Sequence, residues 1–294
     1  MLRASAHALL AGAVDYAGLF PPAALSMSAA AAEYRAALAS PQSWMLGRFV
    51  TTAARLSELA AALSAPAGAV STCRVSAIVR VGSADDIAAL ATFNAGTDTH
   101  HGVVDAVEAK PSAIDGIDWL AAHCAGLDVY VEIAAGPDAP AWLDRVAARQ
   151  LRAKVRTGGV TPEAFPSPAA LAGFLAAVVA RQVPFKATAG LHHAVRGSYK
   201  LTYEPEAASA PMYGYLNLLL AAAAVRAGQP VTTAEALLRQ SDAASLVFDD
   251  DAARWGAAAF PLSLLRDLRA HHLVSFGSCS FREPVTELDA LASR

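Results

Sequence analysis

The sequence predicts an α/β fold, a (β/α)8 TIM-like barrel preceded by an N-terminal helical extension. Strand-like and helix-like stretches alternate six times between residues 44 and 189. Several strands are near-continuous apolar runs, as in parallel sheets covered on both faces. The 294 residues suit one large domain, and no G-x-G-x-x-G turn follows the first expected strand. Length and that missing turn favour a closed barrel over an open doubly wound sheet.

Residues 1–40 read as the extension and 41–294 as the barrel. Within the extension, Asp15-Tyr16-Ala17-Gly18-Leu19-Phe20-Pro21-Pro22 is aromatic and turn-rich, and Ser28 is placed to cap a helix over 29–39. The alternation then starts with a strand at 44–50 and a helix at 53–63. A strand at 74–81 precedes Ser83-x-x-Asp86, a helix-opening box. Strands at 102–109 and 128–134 each lead into a helix, from Ser112 and from residue 139. The strand at 151–156 is followed by Ser167-Pro168, a cap with proline at the first helical position. Residues 185–189 form the sixth expected strand.

The last third is less regular. Residues 194–211 form a long polar loop. Helices are expected at 213–227 and 233–240, the second opened by Thr232. Residues 246–249 are the expected seventh strand, 261–271 its helix and 274–279 the eighth. The alternative makes 246–251 and 253–255 a surface hairpin turning at the aspartates, with strand seven at 213–218.

Hydrophobic residues make up 55% of the chain and charged ones 17%, which supports a large buried core and excludes a disordered chain. The net charge is −3 and the basic residues are scattered, so no nucleic-acid surface is expected. Asp15 interrupts the apolar stretch 8–14, so no signal peptide is expected. The apolar run at 215–225 is too short to cross a bilayer, and no membrane partner is expected. Cys73, Cys124 and Cys279 lie too far apart for a disulfide framework or metal clip, which fits a cytoplasmic protein. Homo-oligomer formation stays open.

Active sites of such barrels gather at the C-terminal strand ends. Taken in order, those ends carry Arg48, Arg80, Glu108 with Lys110, Glu132, Lys154 with Arg156, Lys186 with Thr188, then His192 and His193. Asp249, Asp250, Ser278 and Cys279 complete the ring. Side chains two apart share a strand face, so Lys154 goes with Arg156 and Lys186 with Thr188. Asp105 and Glu108 face opposite ways unless a bulge intervenes. Glu132, between Val131 and Ile133, points inward.

Two lysines at one rim have two functional readings. One lysine forms a Schiff base with a carbonyl substrate, its pKa lowered by the other cation. Alternatively both lysines and Arg156 bind a small anion, helped by the loop Thr157-Gly158-Gly159. His192 and His193 are candidates for proton transfer or anion contact. No cofactor motif is present. A divalent metal on Glu108, Glu132 and His192 is the alternative. The aspartate run 249–251 reads as a solvated turn, and Cys279, a nucleophile by position alone, reads rather as a small core cysteine.

Four phrases resemble an uncharacterised family of bacterial proteins: the 15–22 stretch, Lys154 to Gly159, Phe185 to His193, and Ser275-Phe276-Gly277-Ser278-Cys279-Ser280-Phe281. That likeness carries no activity with it. The chain also resembles class I aldolase barrels of the deoxyribose-phosphate type. Their motifs are a KTxTGF strand bearing the Schiff-base lysine, a KASGG strand and a final RxGTS strand. The matching positions are Lys154 with Thr157-Gly158, Lys186 with Ala187 and Gly190, and Gly277-Ser278. Val104-Asp105-Ala106-Val107 looks like that group's aspartate strand. Arg156 and the two histidines depart from the pattern. The resemblance implies an aldolase-like lyase or isomerase acting on a small anionic carbonyl compound such as a sugar phosphate. It makes Lys154 the nucleophile and Lys186 its tuning cation; the residues themselves, outside that pattern, offer Glu108 or His192 for moving protons and Arg156 for holding the anion. A non-enzymatic metabolite-binding barrel is the remaining expectation.

Overall fold

The computed structural model describes residues 3–64 and 72–292. Helix α1 (Ala4–Leu10) leads into strand β1 (Val14–Tyr16) and helix α2 (Met27–Leu38). The units that follow are β2 (Leu46–Thr52) with α3 (Leu56–Leu63), β3 (Cys73–Ile78) with α4 (Ala84–Ala95) and the short α5 (Thr97–His100), and β4 (Gly102–Ala109) with α6 (Gly116–His123). Next come β5 (Asp128–Glu132) with α7 (Ala139–Ala148), β6 (Arg152–Arg156) with α8 (Pro168–Ala180), and β7 (Phe185–Thr188). A hairpin of β8 (Gly197–Lys200) and β9 (Ser209–Met212) precedes α9 (Tyr215–Arg226) and α10 (Val231–Arg239). An antiparallel sheet of β10 (Leu246–Phe248), β11 (Ala252–Trp255) and β12 (Ala258–Pro261) runs into α11 (Leu262–His271), β13 (Leu273–Ser278) and α12 (Arg282–Ala292).

Eight parallel strands close the barrel in the order β1-β13-β7-β6-β5-β4-β3-β2, as the alternation predicts. Two expectations need correcting. The extension does not stop short of the barrel, because β1 lies within residues 1–40 and seals it. Val14 pairs with Phe276 on one side and Leu46 on the other. The 246–249 stretch is no barrel strand. Val247 is exposed, and the aspartate run turns the chain back, with Asp249 accepting from the amides of Asp251 and Ala252. The surface hairpin, extended by a third strand, is the arrangement found, and neither expected seventh strand is used. The first six expected strands therefore become the second to seventh of the barrel, and the expected eighth keeps its place as β13.

Helix starts follow their local chemistry. Ser83 and Ser167 accept from the amides of Asp86 and Ala170 as the sequence predicts. Ser26 rather than Ser28 caps α2, and Pro230 rather than Thr232 stands at the start of α10. The segment Pro162–Ala180 is long and apolar enough by composition to cross a bilayer. Here it forms a turn and then α8, which packs against α7, α9 and α10.

Apolar packing lies between strands and helices, where Phe49, Val107, Val155 and Phe185 are fully buried. The barrel interior is polar instead, unlike the aliphatic layers usual in this architecture. At its N-terminal end Arg48 Nε meets Asp105 Oδ1 at 2.6 Å and its Nη2 meets Asp128 Oδ2 at 2.8 Å. Arg74 and Arg152 complete this plug on the same two aspartates. Asp105 reaches the plug because the β3–β4 register slips at that residue: Val75 pairs with Val104 and Ser76 with Ala106.

Candidate active site

Above the plug a chain of alternating charges crosses the barrel. In the β6–β7 register Lys154 stands opposite Lys186, and Glu132 on β5 stands opposite Lys154. Two ammoniums side by side would repel strongly at low dielectric. Glu108 on β4 resolves this, with Oε2 at 2.7 Å from Lys154 Nζ and Oε1 at 2.7 Å from Lys186 Nζ. Ser76 Oγ donates to the same Oε1 at 2.8 Å. Lys186 Nζ also donates to Asp15 Oδ2 from β1. Asp15 is held in turn by Ser275 Oγ at 2.8 Å and the Arg48 amide at 2.8 Å. Lys154 Nζ contacts Glu132 Oε2 at 2.9 Å, and the exposed Lys110 lies 3.7 Å from Oε1 of that glutamate.

Glu108 and Lys186 hold each other ionised. Burial alone would raise the Glu108 carboxyl, but the Lys154 and Lys186 ammoniums hold it far below the usual carboxylate range. Burial alone would lower Lys186, which is 1% exposed. Asp15 and then Glu108 reverse this and push it above the ordinary lysine value. Lys186 is therefore a fixed ammonium, and its charge is matched locally by two carboxylates. The Lys154 ammonium likewise meets two carboxylates, Glu108 and Glu132, rather than a bare neighbouring cation.

A cavity of about 330 Å³ opens over this network at the C-terminal strand ends. Glu108, Lys154, Arg156, Lys186, Thr188 and His192 line it, so six of the predicted residues do converge. Arg156, on the face it shares with Lys154, is exposed. Among the described residues no carboxylate lies within ion-pair distance of its guanidinium.

Other predicted residues serve elsewhere. Arg48 belongs to the plug, because β2 runs from Leu46 and puts this arginine in its N-terminal half. Arg80 is 72% exposed and clamps Asp86 at the start of α4. Thr157 is buried, its Oγ1 donating to the Ala189 carbonyl at 2.7 Å, which ties the β6 loop to β7. Gly158 lies under Phe165, whose ring would be 2.4 Å from an added Cβ. His193 pairs with Glu287 at 2.5 Å and stacks on Tyr199, away from the cavity. The metal set does not assemble. Glu108 and Glu132 are joined by an ammonium, and His192 turns to β13 and α12. Among the described residues no cluster of three or more His, Cys, Asp or Glu could hold a metal ion.

His192 Nδ1 lies 3.3 Å from Ser278 Oγ, 3.6 Å from Cys279 Sγ and 3.6 Å from Glu283 Oε2. Burial, reinforced by His193, pushes its pKa down to about 4, so it is a neutral imidazole near pH 7. Burial raises the Cys279 thiol, which leaves it protonated. Cys279 lines the cavity, in keeping with its place in the ring of strand ends, although the sequence favoured a small core cysteine. Asp15, Ser76 and Ser275 were also missed. The one cue was a lone aspartate between apolar residues at 13–16.

No protein-family model matches the chain, and no curated protein matches it. Among solved structures it is similar to the lysine/ornithine decarboxylase of Vibrio vulnificus complexed with cadaverine, at 11% identity and a TM-score of 0.36 over 62% of this chain and 47% of that one. It is also similar to the arginine decarboxylase of Paramecium bursaria Chlorella virus bound to agmatine, at 9% identity and a TM-score of 0.39 over 76% and 56%. The chain spans about half the length of these structures.

Proposed function

We propose that this barrel is a lyase- or isomerase-class enzyme acting on a small anionic carbonyl compound, with Lys154 as the amine that meets the carbonyl. One observation carries this reading: Lys154 Nζ lies in the cavity between two carboxylates, 2.7 Å from Glu108 and 2.9 Å from Glu132. An ammonium is not a nucleophile, so a base must take its proton first. Glu132, joined to the outer Lys110, is the acceptor nearer solvent. Glu108, held so strongly ionised, is the poorer acceptor.

Once Lys154 has passed a proton to Glu132, its lone pair adds to the carbonyl carbon and the C=O pair moves to oxygen. That oxygen takes the proton back from Glu132 and a second one from the nitrogen, and leaves as water. Ammonium and carbonyl thus become iminium and one water. The iminium then draws electrons from an adjacent C–C or C–H bond, which is the step common to lyases and isomerases of this kind. Lys186 stays an ammonium and fixes Glu108, while Arg156 binds the substrate anion.

Borohydride reduction in the presence of a panel of carbonyl acids and sugar phosphates tests this. A reduced adduct on Lys154 is expected, and absence of label across the panel refutes the covalent route. A second reading is favoured by the charge pairing of both lysines: a barrel that binds an anion through Arg156 and Lys154 without turnover. It predicts saturable binding with no trapping.

A further inference from the structure

The cavity is divided by strand position. Residues from β4, β6 and β7 supply Glu108, Lys154, Arg156 and Lys186. The contiguous arc of β1, β2 and β3 faces them with Ala17, Phe20, Pro21, Pro22, Val50 and Ile78. These six side chains carry no hydrogen-bonding group. A polyhydroxylated substrate would lose water against this wall and gain no partner, and unpaired buried hydroxyls are strongly rejected.

The charged side is equally selective. Asp15, Glu108 and Glu132 face Lys154 and Lys186, and Lys110 offsets the third carboxylate from outside. The network is therefore balanced before anything binds. Among the described residues lining the cavity, Arg156 is left as the planar cation with no carboxylate partner, which suits a bidentate carboxylate. A phosphate dianion would leave an uncompensated charge beside Glu108.

We infer that the substrate is a monocarboxylate with a short apolar tail, an aliphatic or aryl oxo acid rather than a sugar phosphate. Arg156 holds the carboxylate and the β1–β3 arc covers the tail. Placing the carbonyl at Lys154 rests on the reading above, but the recognition of carboxylate and tail does not. The cavity of about 330 Å³ lies at the small end of ligand pockets and accommodates a tail of a few carbons or one ring.

Calorimetric titration of the full chain with 4-methylpentanoate, propanoate and glycerol 3-phosphate tests this. None of the three is an aldehyde or ketone, so imine chemistry plays no part. Burial is worth roughly fourfold in affinity per methylene. 4-Methylpentanoate should therefore bind at least about tenfold tighter than propanoate, and tighter than glycerol 3-phosphate. Val50→Thr, which keeps the shape, and Phe20→Ala at the rim should each narrow the gap between the carboxylates. Arg156→Ala should weaken both alike. Glycerol 3-phosphate binding as tightly as 4-methylpentanoate, equal affinities for the two carboxylates, or no carboxylate binding would each overturn the inference. If 4-methylpentanoate binds as expected while 4-methyl-2-oxopentanoate gives no borohydride adduct, the substrate class stands and the Schiff-base reading falls.

Discussion

Lys154 and Lys186 stand opposite each other on adjacent strands, and each takes one oxygen of the same carboxylate, Glu108, at 2.7 Å. One buried anion thus allows two buried cations to be neighbours. Removing one member of a buried pair leaves an uncompensated charge.

Glu108→Gln should therefore lower stability by about 3–5 kcal/mol despite its matched shape. Urea unfolding followed by circular dichroism measures this. Combining it with Lys154→Met should restore part of the loss, since the pair is then removed together. A purely additive double variant would show that Glu108 and Lys154 are not coupled.

Acid should destabilise the protein in two stages. His192 has a folded pKa of about 4, below the ordinary 6.5, so the unfolded chain takes up this proton first. Its contribution is present above pH 6.5 and lost as pH falls toward about 4, by roughly 3 kcal/mol at most. Glu108, held far below its ordinary value, adds a second loss below about pH 4.5. In urea midpoints measured from pH 8 to 3, His192→Asn should flatten the upper stage alone. An unchanged profile would contradict the burial of a neutral imidazole.

Arg156→Ala should leave stability within about 0.5 kcal/mol, because its side chain is exposed and unpaired among the described residues. Affinity for a carboxylate ligand should fall about tenfold or more, the loss of a charge-assisted bidentate contact. Thermal melts and calorimetry on one preparation separate the two effects.

Gly158→Ala should cost about 1–3 kcal/mol, since the new methyl meets the Phe165 ring. Phe165→Leu in the same background should recover part of it. No loss in the single variant would mean that the ring moves freely.

Much of this site is legible in the sequence, because period-two alternation puts Lys154, Arg156 and Glu132 on the inner face without reference to the rest of the fold. Strand β1 was not legible. It is three residues long and centred on a charged aspartate, and only pairing to Leu46 and Phe276 makes it a strand. Asp15 was missed for the same reason. Arg48 was misplaced because β2 begins two residues later than expected, which turns a rim residue into part of the plug. Asp105 depends on a register slip that pattern alone does not show. The 246–249 stretch has strand composition, but its pairing is antiparallel and outside the barrel.

The covalent route requires Lys154 to meet a carbonyl carbon. Borohydride reduction of the protein with 4-methyl-2-oxopentanoate, followed by peptide mass mapping, measures this directly. One reduced adduct is expected on the peptide containing Lys154, absent in Lys154→Arg and retained in a folded Lys186→Arg variant. Label on Lys186 alone, or label that survives Lys154→Arg, would contradict it.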